Sequence, residues 1–123
     1  MTLRQKQTRF WAMVGMLLVK AASMKMPMFA TEWIRDLATQ RVYVARGVSK
    51  TLKSRHLEGL AIDFVFLDDI QDDGKINYDA EKYRPFGEYW ESLGGRWGGR
   101  FGDNPATEKI EGWDLGHFEF KEI

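Results

Sequence analysis

A chain of 123 residues, 44% hydrophobic and 29% charged, is long enough for one hydrophobic core and has the composition of an ordinary globular domain. Its formal net charge is zero, which removes the bulk electrostatic case for a nucleic-acid partner. With no cysteine, disulfides, thiolate metal sites and a cysteine nucleophile are excluded. The expectation is a single domain over residues 1–123, acting as a monomer.

Residues 3–23 predict a first helix, with Phe10, Met13, Val14, Leu17, Leu18 and Ala21 at helical spacing and Thr2 as a cap. The apolar run from Phe10 to Val19 follows a basic start, so a signal peptide competes with this reading. The run is short for a membrane span and Lys20 ends it, which favours a packed amphipathic helix without stable membrane insertion. Pro27 closes the helical region, and Met28 to Trp33 alternates as a short strand. Asp36 to Tyr43 predicts a short helix, and Gly47 to Arg55 a polar loop.

Leu60 to Phe66 reads as a buried strand. The acidic segment after it, Asp69 to Ala80, partly matches a calcium loop but has Ala80 where the bidentate acid belongs. A hairpin turn at Asp73-Gly74 is the better reading. Asp79 to Leu93 predicts the last helix, with Tyr83, Phe86, Tyr89, Trp90 and Leu93 on one face and Gly94-Gly95 as its stop. Gly95 to Phe101 is too glycine-rich for regular structure and lacks the Gly-Lys-Ser/Thr of a phosphate loop. A surface loop over 104–112 leads to a final strand carrying His117, Phe118 and Phe120. The fold expected is α+β, with helices packed on a small, mainly antiparallel sheet.

The chemistry concentrates in two segments. Ser54-Arg55-His56-Leu57-Glu58-Gly59-Leu60-Ala61-Ile62-Asp63 and Trp113-Asp114-Leu115-Gly116-His117-Phe118 hold both histidines of the chain, each near a carboxylate. Two imidazoles and one carboxylate make a three-ligand zinc set with a fourth position open for water, the opening that catalytic zinc requires. The spacing is not that of the helical His-Glu-x-x-His site. His56 and Asp63 are seven apart, which places His56 on a loop and Asp63 on the strand that follows. Asp114 and His117 are three apart; one of the two can bind metal while the other handles protons. A Ser54-His56-Asp63 triad is disfavoured because no Gly-x-Ser-x-Gly elbow is present.

Ser-x-His-x-x-Gly-x-Ala-x-Asp, followed much later by Asp-x-x-His-Phe, resembles the VanY-type family of zinc D-alanyl-D-alanine carboxypeptidases and L-alanyl-D-glutamate endopeptidases. The resemblance runs from the N-terminal helix to Phe120 and is strongest to the short phage endolysins of that family. It implies a Hedgehog/DD-peptidase-like α+β fold and a peptidoglycan stem peptide as substrate. It assigns His56, Asp63 and His117 to zinc and Asp114 to general base. Arg35 falls where the family has an arginine in a Gly-Tyr-Arg-Thr-like segment, with Gln40 shortly after, although this chain reads Trp33-Ile34-Arg35-Asp36. Read alone, Arg35 is a surface salt-bridge residue; the family position makes it a clamp on the oxyanion. Ser54 and Gln40 are expected to contact substrate, Ser54 either orienting the site through its hydroxyl or serving as a plain turn residue. Trp97, in a Gly-Gly-x-Trp-Gly-Gly stretch that similar members hold at the active-site rim, is expected to pack against substrate or to be a buried structural residue.

The resemblance therefore implies a zinc peptidase acting on peptidoglycan, first as an L-alanyl-D-glutamate endopeptidase of a phage or prophage lysin and second as a D-alanyl-D-alanine carboxypeptidase. A non-catalytic wall-binding or structural zinc domain is the competing class, and an unliganded Asp114 beside the metal argues against it. Without a clear signal peptide, the chain is expected to be made in the cytoplasm and to reach the wall through a membrane pore formed by another protein.

Overall fold

The computed structural model describes residues 1–47, 54–101 and 114–121. The expected surface loop over 104–112 and most of the expected polar loop over 47–55 lie outside the described residues. Helix α1 spans Leu3–Ser23. Thr2 caps it reciprocally: its hydroxyl accepts from the Gln5 amide at 3.1 Å, while its own amide donates to Gln5 Oε1 at 2.8 Å. Phe10, Met13, Val14, Leu17 and Ala21 form the buried stripe of this helix. Among the described residues no helix is long and apolar enough to cross a membrane.

Strand β1 (Met28–Glu32) is followed by helix α2 (Leu37–Ala45), which Asp36 caps by accepting from the Thr39 amide at 2.7 Å. A single 3₁₀ turn, Arg55–Glu58, leads into strand β2 (Ala61–Phe66). Helix α3 (Ala80–Ser92), strand β3 (Gly95–Trp97) and strand β4 (His117–Phe120) complete the order. The sheet is antiparallel throughout, in the order β1-β2-β4-β3. The expected α+β architecture is what the chain adopts.

Two local expectations are corrected. The glycine-rich segment after α3 is not irregular: residues 95–97 pair with 118–120 as β3. Gly95 and Gly99 are needed because side chains there would overlap the rings of Trp90 and Trp97. At Asp73-Gly74 the chain turns tightly, with Gly74 at φ 81°, but only the bridge between Ile70 and Ile76 forms rather than a pair of strands.

Strand alternation separates core from site. Ile62, Phe64 and Phe66 of β2 and Phe118 and Phe120 of β4 face one way, into a core with Phe10, Leu17, Tyr83, Phe86 and Trp90. Tyr83 donates its hydroxyl to the Phe64 carbonyl at 2.9 Å, and Trp90 donates to the Glu119 carbonyl at 2.9 Å, so the two buried polar tips of α3 are satisfied by sheet backbone. Asp63, His117 and Glu119 face the other way.

Candidate metal centre

Cross-strand register brings the candidate ligands together. Asp63 of β2 lies directly opposite His117 of β4, and partners in an antiparallel pair put their side chains on the same face. Asp63 Oδ1 is 3.1 Å from His117 Nδ1 and 3.2 Å from His56 Nε2. The two imidazole rings meet edge-on with centroids 5.0 Å apart. One donor atom from each of the three residues lies within 4.8 Å of the others.

His56 is delivered by the 3₁₀ turn. Ser54 caps that turn, its hydroxyl accepting from the His56 amide at 3.2 Å, which makes Ser54 a support for the ligand. Gly59 ends the turn at φ 66°, in the left-handed region where glycine is favoured. A side chain there would also press on Gln7 and Trp33.

The outward nitrogen of each imidazole is pinned. His56 Nδ1 donates to the Trp33 carbonyl at 2.6 Å, which leaves Nε2 to face Asp63. His117 Nε2 is 2.8 Å from Glu119 Oε1, which leaves Nδ1 to face Asp63. Such partners fix the tautomer and orientation of metal-binding histidines and raise their basicity. With the facing ring nitrogens deprotonated, their lone pairs and the Asp63 carboxylate converge on one point, where a cation would replace the bridging protons. A tetrahedral ion with bonds of about 2.0–2.2 Å separates its ligand atoms by about 3.3–3.6 Å, close to the spacings found. The donor set of two nitrogens and one carboxylate oxygen therefore fits a zinc-type ion.

The electrostatics agree. Burial works against the charge of Asp63, but hydrogen bonds from both imidazoles outweigh it and hold the carboxyl well below its usual range. Burial also opposes a charge on His117, but Asp63 and Glu119 outweigh it and raise the imidazole to about 9. In the metal-free protein His117 is thus a cation held between two carboxylates.

Asp114 stands just outside this group. Its Oδ2 is 3.7 Å from His117 Nδ1 and its side chain is half-exposed. Desolvation raises its pKa above the ordinary aspartate value. The turn that carries it is tightly supported: Trp97 Nε1 donates to the Leu115 carbonyl at 2.7 Å, and a side chain at Gly98 would overlap the Asp114 carbonyl oxygen. Trp97 itself is fully buried. It supports the Asp114 turn from beneath, and the expectation of a substrate contact is corrected.

Arg35 belongs to the surroundings of the site through the segment it ends. Its amide donates to the His56 carbonyl at 3.0 Å, two residues after Trp33 takes the His56 ring. Its guanidinium is buried rather than at the surface, and is bonded by Glu32 and Gln40. Burial disfavours that charge, but Glu32 and the nearby Asp63 outweigh the cost and raise its pKa further. Gln40 is fully buried and holds Arg35, so its expected contact with substrate is corrected as well.

Glu32 and Glu119 are the polar residues that sequence reasoning missed. For Glu119 a signal existed: two residues after His117 on a strand, it must share that face. For Glu32 none did, because a β-bulge places it. Ala30 pairs with Phe64, and the next partner of β2, Asp63, is opposite Glu32 rather than Thr31.

Comparison with known proteins agrees with this geometry. Residues 47–120, more than half of the chain, match the peptidase M15 family model described as D-alanyl-D-alanine carboxypeptidase. The chain belongs to this family. Among solved structures, this M15 peptidase resembles the Serratia marcescens L-Ala D-Glu endopeptidase ChiX, at 27% identity and TM-score 0.53, over 78% of this chain and 68% of the other. It shares its fold with the vancomycin resistance D,D-pentapeptidase VanY of a VanB-type cassette, solved with Zn(II), at 18% identity and TM-score 0.55, over 91% of this chain and 70% of the other. No curated protein sequence matches the chain.

Proposed function

We propose that this M15 peptidase is a zinc enzyme that hydrolyses peptidoglycan stem peptides, as one domain over residues 1–123 and as a monomer. The observation that carries the reading is the convergence of His56 Nε2, Asp63 Oδ1 and His117 Nδ1, each imidazole pinned at its other nitrogen. These three residues would hold the ion. When bound, zinc supplies a Lewis acid and lowers the pKa of water toward neutrality.

The remaining roles follow from position. Asp114, beside the ligand atom of His117 and half-exposed, takes a proton from the attacking water and returns it to the leaving amine. Its raised pKa suits a group that must both accept and give that proton. Arg35 donates N–H groups to the carbonyl oxygen as negative charge develops there. A structural zinc site has no use for such a carboxylate beside its ligands, which favours the enzyme over a non-catalytic wall-binding domain.

The bond cut is an L-alanyl-D-glutamate linkage, the activity named for ChiX. D-alanyl-D-alanine carboxypeptidase activity, named in the family description, is the second reading. The biological setting we propose is a phage or prophage endolysin, released to the wall through a pore formed by another protein.

Mass spectrometry of muropeptides digested with the zinc-loaded protein tests this. Release of a fragment beginning at D-glutamate is expected. Loss of a terminal D-alanine alone would establish the carboxypeptidase, and no cleavage with zinc bound would establish the non-catalytic domain.

A further inference from the structure

Both oxygens of Glu32 engage Arg35, Oε1 from Nε and Oε2 from Nη2, each at 2.6 Å. Nη1 donates to Gln40 Oε1 at 2.5 Å, and the guanidinium lies over the Tyr43 ring at 4.6 Å. A guanidinium gripped along one edge, bonded at a second nitrogen and stacked on a ring keeps almost no freedom to turn. Each terminal nitrogen carries two N–H groups, so one on each remains beyond these bonds.

The placement of Glu32 is built into the sheet. An uninterrupted ladder would put Thr31 opposite Asp63; the bulge puts Glu32 there instead, on the face that carries Asp63 and His117. The four residues from Glu32 to Arg35 then serve the site three times: Glu32 forks Arg35, Trp33 takes the His56 ring, and the Arg35 amide takes the His56 carbonyl. An ion pair that only closed the turn after β1 would not need the bulge to turn it toward the metal ligands.

We propose that Glu32 is a positioning residue for the hydrolysis, holding Arg35 by its Nε–Nη2 edge so that its remaining N–H donors meet the oxygen of the scissile carbonyl. The proposal rests on the peptidase reading and on Arg35 as the oxyanion clamp. Because Glu32 acts through Arg35, its removal misplaces a donor that matters in the transition state more than in the ground state.

The test compares Glu32→Gln, Arg35→Ala and the double variant in the zinc-loaded full chain. Glu32→Gln is nearly isosteric and should keep zinc content and KM, while kcat falls roughly ten- to hundredfold. Glu32→Asp, which keeps the charge but shortens the reach, should fall less. In the Arg35→Ala background Glu32→Gln should cost nothing further, since there is nothing left to position. An unchanged kcat in Glu32→Gln, or the same fold loss in both backgrounds, would overturn the proposal. Should Glu32→Gln fail to fold, Glu32→Asp in the two backgrounds provides the same comparison. Normal turnover in Arg35→Ala would overturn the Arg35 assignment and this proposal together. An impaired Arg35→Ala beside a normal Glu32→Gln would overturn this proposal alone.

Discussion

Asp63 and His117 are separated by more than fifty residues of sequence, yet they are direct cross-strand partners whose side chains meet at 3.1 Å. Register, not local sequence, makes this contact. A slip of one residue would put His117 on the apolar face and a phenylalanine in its place. The site is therefore as stable as the β2–β4 ladder beneath it.

Removing a ligand should show this dependence. His117→Ala should lose zinc at micromolar concentrations and lower the melting temperature of the zinc-supplemented protein to that of the metal-free chain, because metal binding and folding are coupled. Atomic absorption and differential scanning calorimetry read both. Wild-type zinc stoichiometry in the variant would remove His117 from the ligand set.

Asp114 makes the sharpest separation between binding and chemistry. Asp114→Asn keeps the shape and removes the basic oxygen. Zinc content and melting temperature should stay close to wild type while turnover falls roughly a hundredfold or more. Equal loss of zinc and activity would make Asp114 a ligand instead, and full activity would place the general base elsewhere.

The pH dependence of metal affinity follows from His117. Its folded pKa, about 9 without metal, is raised above the unfolded value near 6.5. Its charged form therefore stabilises the metal-free fold fully below about pH 6.5, and this contribution is lost as pH rises through about 9. Zinc needs Nδ1 without its proton, so binding must displace it. Apparent zinc affinity should rise with pH up to about 9, by about tenfold per unit from this group alone. Competition with a chromophoric chelator measures the slope. A flat profile would mean that His117 is already neutral.

Glu119 and Gly98 act at one remove from the ion. Glu119→Gln keeps a hydrogen-bond acceptor for His117 Nε2 but removes its charge, and should weaken zinc binding about ten- to hundredfold, read by the same competition. Gly98→Ala drives a methyl group against the Asp114 carbonyl and the His117 Cβ. It should displace the Asp114 turn and lower turnover more than zinc affinity. Unchanged turnover would show that the turn can move without consequence.

The sequence made some of this legible and hid the rest for identifiable reasons. The two-histidine inventory narrowed the candidates to His56, Asp63, Asp114 and His117, because few residue types can do that chemistry, and the family resemblance singled out the three that converge. The helical spacing named Phe10, Met13, Val14, Leu17 and Ala21 on the buried face of α1, since an isolated amphipathic helix carries its own period, but it also placed Leu18 there, which lies at the margin of the stripe and is exposed. Trp97 was ambiguous because its burial depends on Gly87 and Gly99 vacating space beside its ring, a relation between elements. Glu32 was invisible because a single unpaired residue in β1 decides which face it takes. The salt-bridge reading of Arg35 identified the kind of contact but not that it would be buried.

The strand order has a consequence for how the molecule comes apart. β4, the last strand in the chain, is not at an edge but inserted between β2 and β3. Its pairing with β2 closes one of the longest loops in the chain, and such closures come late and cost the most entropy in folding. An ion bridging His56, Asp63 and His117 would be a fastener across that seam. Without it the seam loses that cross-link, and opening there would bare two new strand edges, one on β2 and one on β4, rather than fray the rim. Metal loss would then expose the chain to aggregation and proteolysis as well as silencing the site.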